Sequence, residues 1–149
     1  MELVTIHPAM VLGPVTFPSS ISIVSYVLNV AKGMFKEKGL PSMTAGMSDV
    51  RDVSLAHIAA LESPAAANQR YIVALPDQYS MLDIAKSIKK QFPQLDVANF
   101  EEKPTTPVLN GIDASKAKHD LKLELTSFDK TIRDTIQSLI DTKLLNNPL

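Results

Sequence analysis

Leu3-Val4-Thr5-Ile6-His7-Pro8-Ala9-Met10-Val11-Leu12-Gly13-Pro14 is the stretch on which the fold of this chain turns. Its first five residues are apolar or β-branched almost throughout and predict a strand. Pro8, with no N–H to give to a ladder, ends it. Ala9-Met10-Val11-Leu12 is apolar again and stops at the turn signal Gly13-Pro14. A strand without alternation suits the middle of a parallel sheet, buried on both faces, and such a strand needs neighbours. No helix precedes it, so the chain opens as if in mid-fold.

Working outward, Ser19 or Ser20 is expected to cap a helix reaching about residue 32, with Ile23, Val24, Val27, Leu28 and Ala31 on one face and Gly33 as its stop. Residues 36–48, carrying Gly39-Leu40-Pro41 and Gly46, read as loop. Asp49-Val50-Arg51-Asp52-Val53 leads into an alanine-rich helix over residues 54–62, with Asp52 placed to cap it and Pro64 marking its end. Arg70-Tyr71-Ile72-Val73-Ala74-Leu75 is the clearest strand. Ser80 with Asp83 three residues later forms a capping box for a helix ending before Pro93. Residues 97–107 are polar and irregular, with one short strand expected at 97–100. A short helix over 114–121 follows. Thr126 with Asp129 repeats the capping signature before a last helix over about 127–143, whose stripe is Phe128, Ile132, Ile136, Leu139 and Ile140. Strands alternating with helices predict the α/β class.

Composition bounds the function. A chain of 149 residues, 45% hydrophobic and 21% charged, can close one core and is too apolar for wholesale disorder. Fifteen Lys and Arg against sixteen Asp and Glu leave a net charge of −1, so no global field draws nucleic acid or an anionic membrane. Lys86, Lys89 and Lys90 read as a solvated helix face, since no aromatic side chains interleave with them. With no cysteine, disulfides and thiolate sites are excluded, and His7, His57 and His119 lie far apart without a zinc motif. The longest apolar stretch, residues 21–31, is interrupted by Ser22, Ser25 and Asn29 and is too short for a bilayer. No signal-peptide pattern is visible. The expectation is a cytoplasmic chain without nucleic-acid, membrane or metal partners.

His7-Pro8-Ala9-Met10-Val11-Leu12-Gly13-Pro14, then Asp49-Val50-Arg51-Asp52-Val53 through Ala56-His57, then Arg70-Tyr71-Ile72, resemble in order and spacing the C-terminal half of an extended short-chain dehydrogenase/reductase. The subgroup they resemble is that of dihydroflavonol reductases, cinnamoyl-CoA reductases and methylglyoxal or aldehyde reductases. Leu121-Lys122-Leu123, Thr131-Ile132-Arg133-Asp134-Thr135 and Lys143-Leu144-Leu145 are similar to that subgroup's C-terminal end. The resemblance implies the last part of a doubly wound Rossmann-type fold plus a small α/β substrate-binding lobe. Residues 1–149 would form a single incomplete domain lacking the N-terminal cofactor-binding half. Two family motifs are missing from these residues: the glycine-rich turn that seats a pyrophosphate, and the Tyr-x-x-x-Lys pair. Tyr26, Tyr71 and Tyr79 are followed four positions later by Val30, Leu75 and Asp83.

By resemblance, Pro8, Ala9, Met10 and Val11 would run past the nicotinamide of NADPH, and Ser20 would contact the cofactor. Met43 and Met47 would line the substrate pocket, where methionine's pliable side chain suits an apolar ligand. No catalytic residue is assigned within the chain, which by itself is expected neither to hold NADPH nor to turn over. The Asp49–Arg51–Asp52 cluster reads as a fold-holding element, and the three histidines as packed or locally bonded. The function implied is the substrate-binding part of an NADPH-dependent reductase that converts a ketone or aldehyde to an alcohol. Two alternatives stand beside it. One is another extended short-chain enzyme, acting on a steroid or a nucleotide-sugar; the other is a non-catalytic binding module.

Overall fold

The computed structural model describes residues 2–19, 21–97 and 111–146. Strand β1 (Thr5–Pro8) pairs parallel with β4 (Arg70–Val73), with Thr5 opposite Arg70 and Pro8 opposite Val73. At Ala9 the chain changes partners. Strand β2 (Met10–Leu12) runs parallel to β3 (Thr44–Asp49), and β3 pairs antiparallel with β5 (Gln78–Ser80). The apolar run at the start of the chain thus divides between a two-stranded and a three-stranded sheet. Strand β3 lies within residues expected to be loop. Gly46 and Ser48 blur its pattern, and its order comes from partners distant in sequence on both sides. Gly46 also permits a close approach: a Cβ there would collide with the Ile112 side chain and sit 3.2 Å from Ala9 Cβ.

The helices start where side chains or turns satisfy their free amides. Helix α1 (Val24–Ala31) has Ile23 at its N-cap and no side-chain cap, so Ser19 does not cap it. Ser25 instead turns its hydroxyl onto the Ser22 carbonyl at 2.6 Å. Ser20 lies outside the described residues. Gly33 ends the helix in the left-handed region, at φ +67°, and donates its N–H to the Val30 carbonyl.

Helix α2 (Val50–Glu62) begins before Ser54, because Asp49 caps it by accepting the Arg51 N–H at 2.9 Å. Asp52, expected in that role, accepts the N–H and hydroxyl of Thr126, both at 2.8 Å. Thr126 therefore does not cap helix α5 (Phe128–Asp141), and Asp129 accepts the Ser87 hydroxyl rather than closing a capping box. Helix α3 (Met81–Gln91) does carry the Ser80–Asp83 box in full. Helix α4 (Ser115–Asp120) is one short piece. Of the strand expected at 97–100, residues 98–100 lie outside the described set.

Two apolar clusters follow from this layout. The larger gathers Leu12, Val27, Val30, Met47, Ile84, Ile88, Ile132 and Ile136 from β2, α1, β3, α3 and α5. The smaller sets Ala56 and Ala60 of α2 against Tyr71 and Val73 of β4, with Ala117, Leu121 and Leu123 beyond. Small alanines let α2 lie close to the sheet. The result is an α/β fold with helices packed on parallel and mixed strands.

Candidate functional site

The point where β1 hands over to β2 is held by one hydroxyl. Ala9 N–H donates to Ser48 Oγ at 2.9 Å, and that hydroxyl donates to the Val73 carbonyl at 2.6 Å. Ser48 is buried and sits on β3 opposite Val11, so it ties β2, β3 and the end of β4 together. Leu75 N–H reinforces the junction by donating to the Met47 carbonyl at 2.8 Å. Open α/β sheets place ligands beyond the carboxyl ends of parallel strands, where strand order switches. Pro8, exposed at the carboxyl end of β1, and the half-buried Ala9, Met10 and Val11 occupy that position.

The segment after β2 is fixed from the other side by a row of hydroxyls on α5. Gly13 N–H donates to Thr135 Oγ1 at 2.9 Å, and Val15 N–H donates to Ser138 Oγ at 2.8 Å. Both hydroxyls return their protons to α5 carbonyls, Thr135 to Thr131 and Ser138 to Thr135. Gly13, at φ +132°, takes a conformation that a residue with Cβ rarely adopts, and a Cβ there would collide with Val50. Between this segment and the start of α1 lies a mainly apolar groove of about 250 Å³, lined by Val11, Gly13, Val15, Phe17, Ile21 and Val24 among others.

One turn earlier on α5, Thr131 Oγ1 donates to Asp49 Oδ2 at 2.7 Å. Arg51 donates to both Asp49 oxygens at 2.7–2.8 Å and to Asp134 at 2.6 Å. Burial pushes the Asp49 carboxyl up, but the bonds from Arg51 and Thr131 outweigh it and hold the group below the usual carboxylate range. Asp134 follows the same balance. Burial opposes ionisation, and the bonds from Lys130, Arg51 and Arg133 bring it down to about 2. Asp49 and Arg51, read from the sequence as part of a fold-holding element, join α2 to α5.

The other sequence candidates fall as follows. Met43 is half-buried against the larger core, and Met47 is fully buried within it. His57 bonds its own helix through the Val53 carbonyl, His7 pairs with Thr5, and His119 with Asp120. Tyr71 is buried with its hydroxyl 3.4 Å from Asp120, and Tyr79 lies beside several carboxylates. Burial foremost and those carboxylates next raise both phenol pKa values, the wrong direction for a tyrosine that must give up a proton near neutrality. Ser48, Thr135 and Ser138 were missed. Only the recurrence of Thr131, Thr135 and Ser138 at helical spacing beside an apolar stripe hinted at them.

The residues present fit one end of a dinucleotide. The edge of β2 away from β3 is unpaired among the described residues, leaving backbone polar groups of Met10–Leu12 able to meet an amide. The Ala9 N–H is already taken by Ser48. Carboxylates already occupy the N-termini of α2 and α3, at Asp49 and Asp83, where they would repel a phosphate. Among the described residues no group of three or more acidic or histidine side chains is placed to hold a metal, and no helix is long and apolar enough to cross a membrane.

No family model matches the chain. Cinnamoyl-CoA reductase CAD2 of Medicago truncatula is 30% identical over 148 residues, which is 98% of this chain and 43% of that protein. The crystal structure of Gre2 from Candida albicans superposes with a TM-score of 0.82 at 27% identity, over 95% of this chain and 45% of that one. Yeast methylglyoxal/isovaleraldehyde reductase Gre2, solved in complex with NADPH, gives 0.81 at 25% identity, over 95% and 44%. The chain is homologous to the C-terminal part of an extended short-chain reductase. It spans less than half the length of the relatives it matches, and its α/β elements are those of a portion of a Rossmann-type reductase.

Proposed function

We propose that this chain forms the nicotinamide wall and the substrate side of an NADPH-dependent reductase that converts a small ketone or aldehyde to an alcohol. The observation that carries the reading is the switch at Ala9, where Ser48 presents Pro8–Val11 at the carboxyl end of a parallel strand. NADPH, when bound, supplies the hydride. Pro8 and the free edge of β2 bound the ring end of the cofactor, and the α5 hydroxyls fix the apolar segment beyond it. Phe17 and Met43 offer apolar surface that excludes water from a carbonyl substrate. The proton is assigned to a group outside these residues, because none of Tyr26, Tyr71 and Tyr79 is followed four positions later by the lysine of a Tyr-x-x-x-Lys pair. The resemblance to methylglyoxal and cinnamoyl-CoA reductases supports a carbonyl substrate. Structures of nucleotide-sugar epimerases are alike at the level of the fold alone.

The test is a chimera in which the N-terminal portion of Candida albicans Gre2 is joined to this chain. NADPH consumption is followed with methylglyoxal, with isovaleraldehyde and with a cinnamoyl thioester. Turnover of any of these supports the reading, and Met10→Pro, which distorts the wall without touching the donor residues, should raise the KM for NADPH. A folded chimera that binds NADPH yet reduces no carbonyl would sink it.

A further inference from the structure

Gly111 and Ile112 come back to the carboxyl ends of β1 and β4 and bring one apolar side chain with them. The Ile112 N–H donates to the carbonyl of Pro76, just past the end of β4, at 3.0 Å. Gly111 permits that approach, since a Cβ on it would sit 3.2 Å from the same carbonyl oxygen. So anchored, the Ile112 side chain lies over Gly46 of β3 and takes the place that a Cβ there would need. That place is 3.2 Å from Ala9 Cβ. Ile112 therefore stands beside the residue at which β1 hands over to β2. Successive side chains of a strand alternate, so it covers the face of β3 opposite to the one that buries Met47 in the larger core.

Core packing does not explain this placement. Ile112 is half-buried and is a member of neither apolar cluster. Its side chain is set against a glycine and an alanine, the two smallest residues, so here one large group fills what its neighbours leave open. In open α/β sheets the crevice beyond the carboxyl ends of the strands is where a ligand lies. Ile112 occupies part of that crevice, next to Ala9, and a ligand must fit the remainder. Building on the reductase reading above, we infer that Ile112 is a specificity-determining residue. It closes the crevice beside Ala9 and makes the site prefer a carbonyl compound with a small aliphatic substituent to one with an aromatic ring. A packed wall cannot admit extra carbons without forcing side chains off their rotamers. Each methylene in excess of the space lowers kcat/KM by about tenfold or more.

The test uses the chimera with the N-terminal portion of Candida albicans Gre2 and two aldehydes built on one frame. Phenylacetaldehyde is isovaleraldehyde with its isopropyl group replaced by phenyl, which adds three carbons. Ile112→Ala removes three carbons from the wall and should raise the ratio of kcat/KM for phenylacetaldehyde to that for isovaleraldehyde about tenfold or more. Ile112→Val, which removes one, should move the ratio the same way by less, and it carries the test if the alanine variant does not fold. Ile112→Leu, of equal volume, should hold the ratio near its starting value. A purely structural role would lower both kcat/KM values together and leave their ratio alone. That result, in a chimera that reduces both aldehydes, would overturn the inference and leave the reductase reading standing. A folded chimera that binds NADPH and reduces neither aldehyde, with or without the substitution, would overturn the two together.

Discussion

Asp134 accepts from Arg51, Lys130 and Arg133, and Asp49 accepts from Arg51 and Thr131, so two carboxylates and one guanidinium join α2 to α5. Buried charges repay their desolvation only when every lone pair is met, and here the seam is densely bonded. Its pH dependence follows from the direction of the shifts. Both folded carboxyls titrate below the value of about 3.9 expected for an unfolded aspartate, Asp134 at about 2. A depressed folded pKa stabilises fully above the unfolded pKa and is lost as the pH falls through the folded one. The seam should therefore hold at about pH 5 and weaken between about 4 and 2. Replacing Arg51 with Met removes the partner common to both carboxylates and should move the midpoint of acid unfolding upward. Circular dichroism against pH reads this directly, and an unmoved midpoint would show that the seam carries no linked stability.

At the scale of the element, α5 acts less as a cover than as a template. Thr131, Thr135 and Ser138 lie along one line of the helix and meet Asp49, the Gly13 N–H and the Val15 N–H in turn. Substituting Thr135 by Val keeps the shape and deletes the acceptor, leaving a buried Gly13 N–H unpaired at a cost of about 1–3 kcal/mol. Urea unfolding should show that loss, while Ser138→Ala, whose partner is half-buried, should cost less; equal, negligible effects would mean that water replaces the bonds. Which elements the sequence reveals has a physical logic. The Ser80–Asp83 box, the α5 stripe and β4 are local patterns, and they stand where the sequence puts them. Strand β3 could not be read, because its partners lie in β2 and β5 and Gly46 serves close approach rather than propensity. The expected caps of α2 and α5 failed for a related reason: Asp52 and Thr126 had distant partners in each other, and short-range rules do not see those. The site divides in the same way. Pro8 as a strand end was legible; Ser48, an unremarkable serine in an apparent loop, was not.

At the scale of the molecule, stability should be unequal between the two clusters. The larger core is closed on several sides, with β3 paired along both edges and α3 and α5 packed over it through fully buried Ile84, Ile88, Ile132 and Ile136. The smaller rests on a four-residue parallel ladder, alanines on α2 and a short α4, with an exposed face at His7 and Ile72. Apolar area buried sets most of the free energy of opening, and the alanine-based cluster buries less per residue. Native-state hydrogen exchange of the chain alone should therefore find the β1 and β4 amides opening well before those of β3, α3 and α5. Protection in β4 equal to that of Met47 and Ser48 would mean that the two clusters open as one unit. The coupling would then have to run through Ser48, whose hydroxyl bonds Ala9 and Val73 and bridges the two sheets. Ser48→Ala separates these cases, since it should leave the slow amides of α3 slow and speed exchange in β4 only where that bridge carries the coupling.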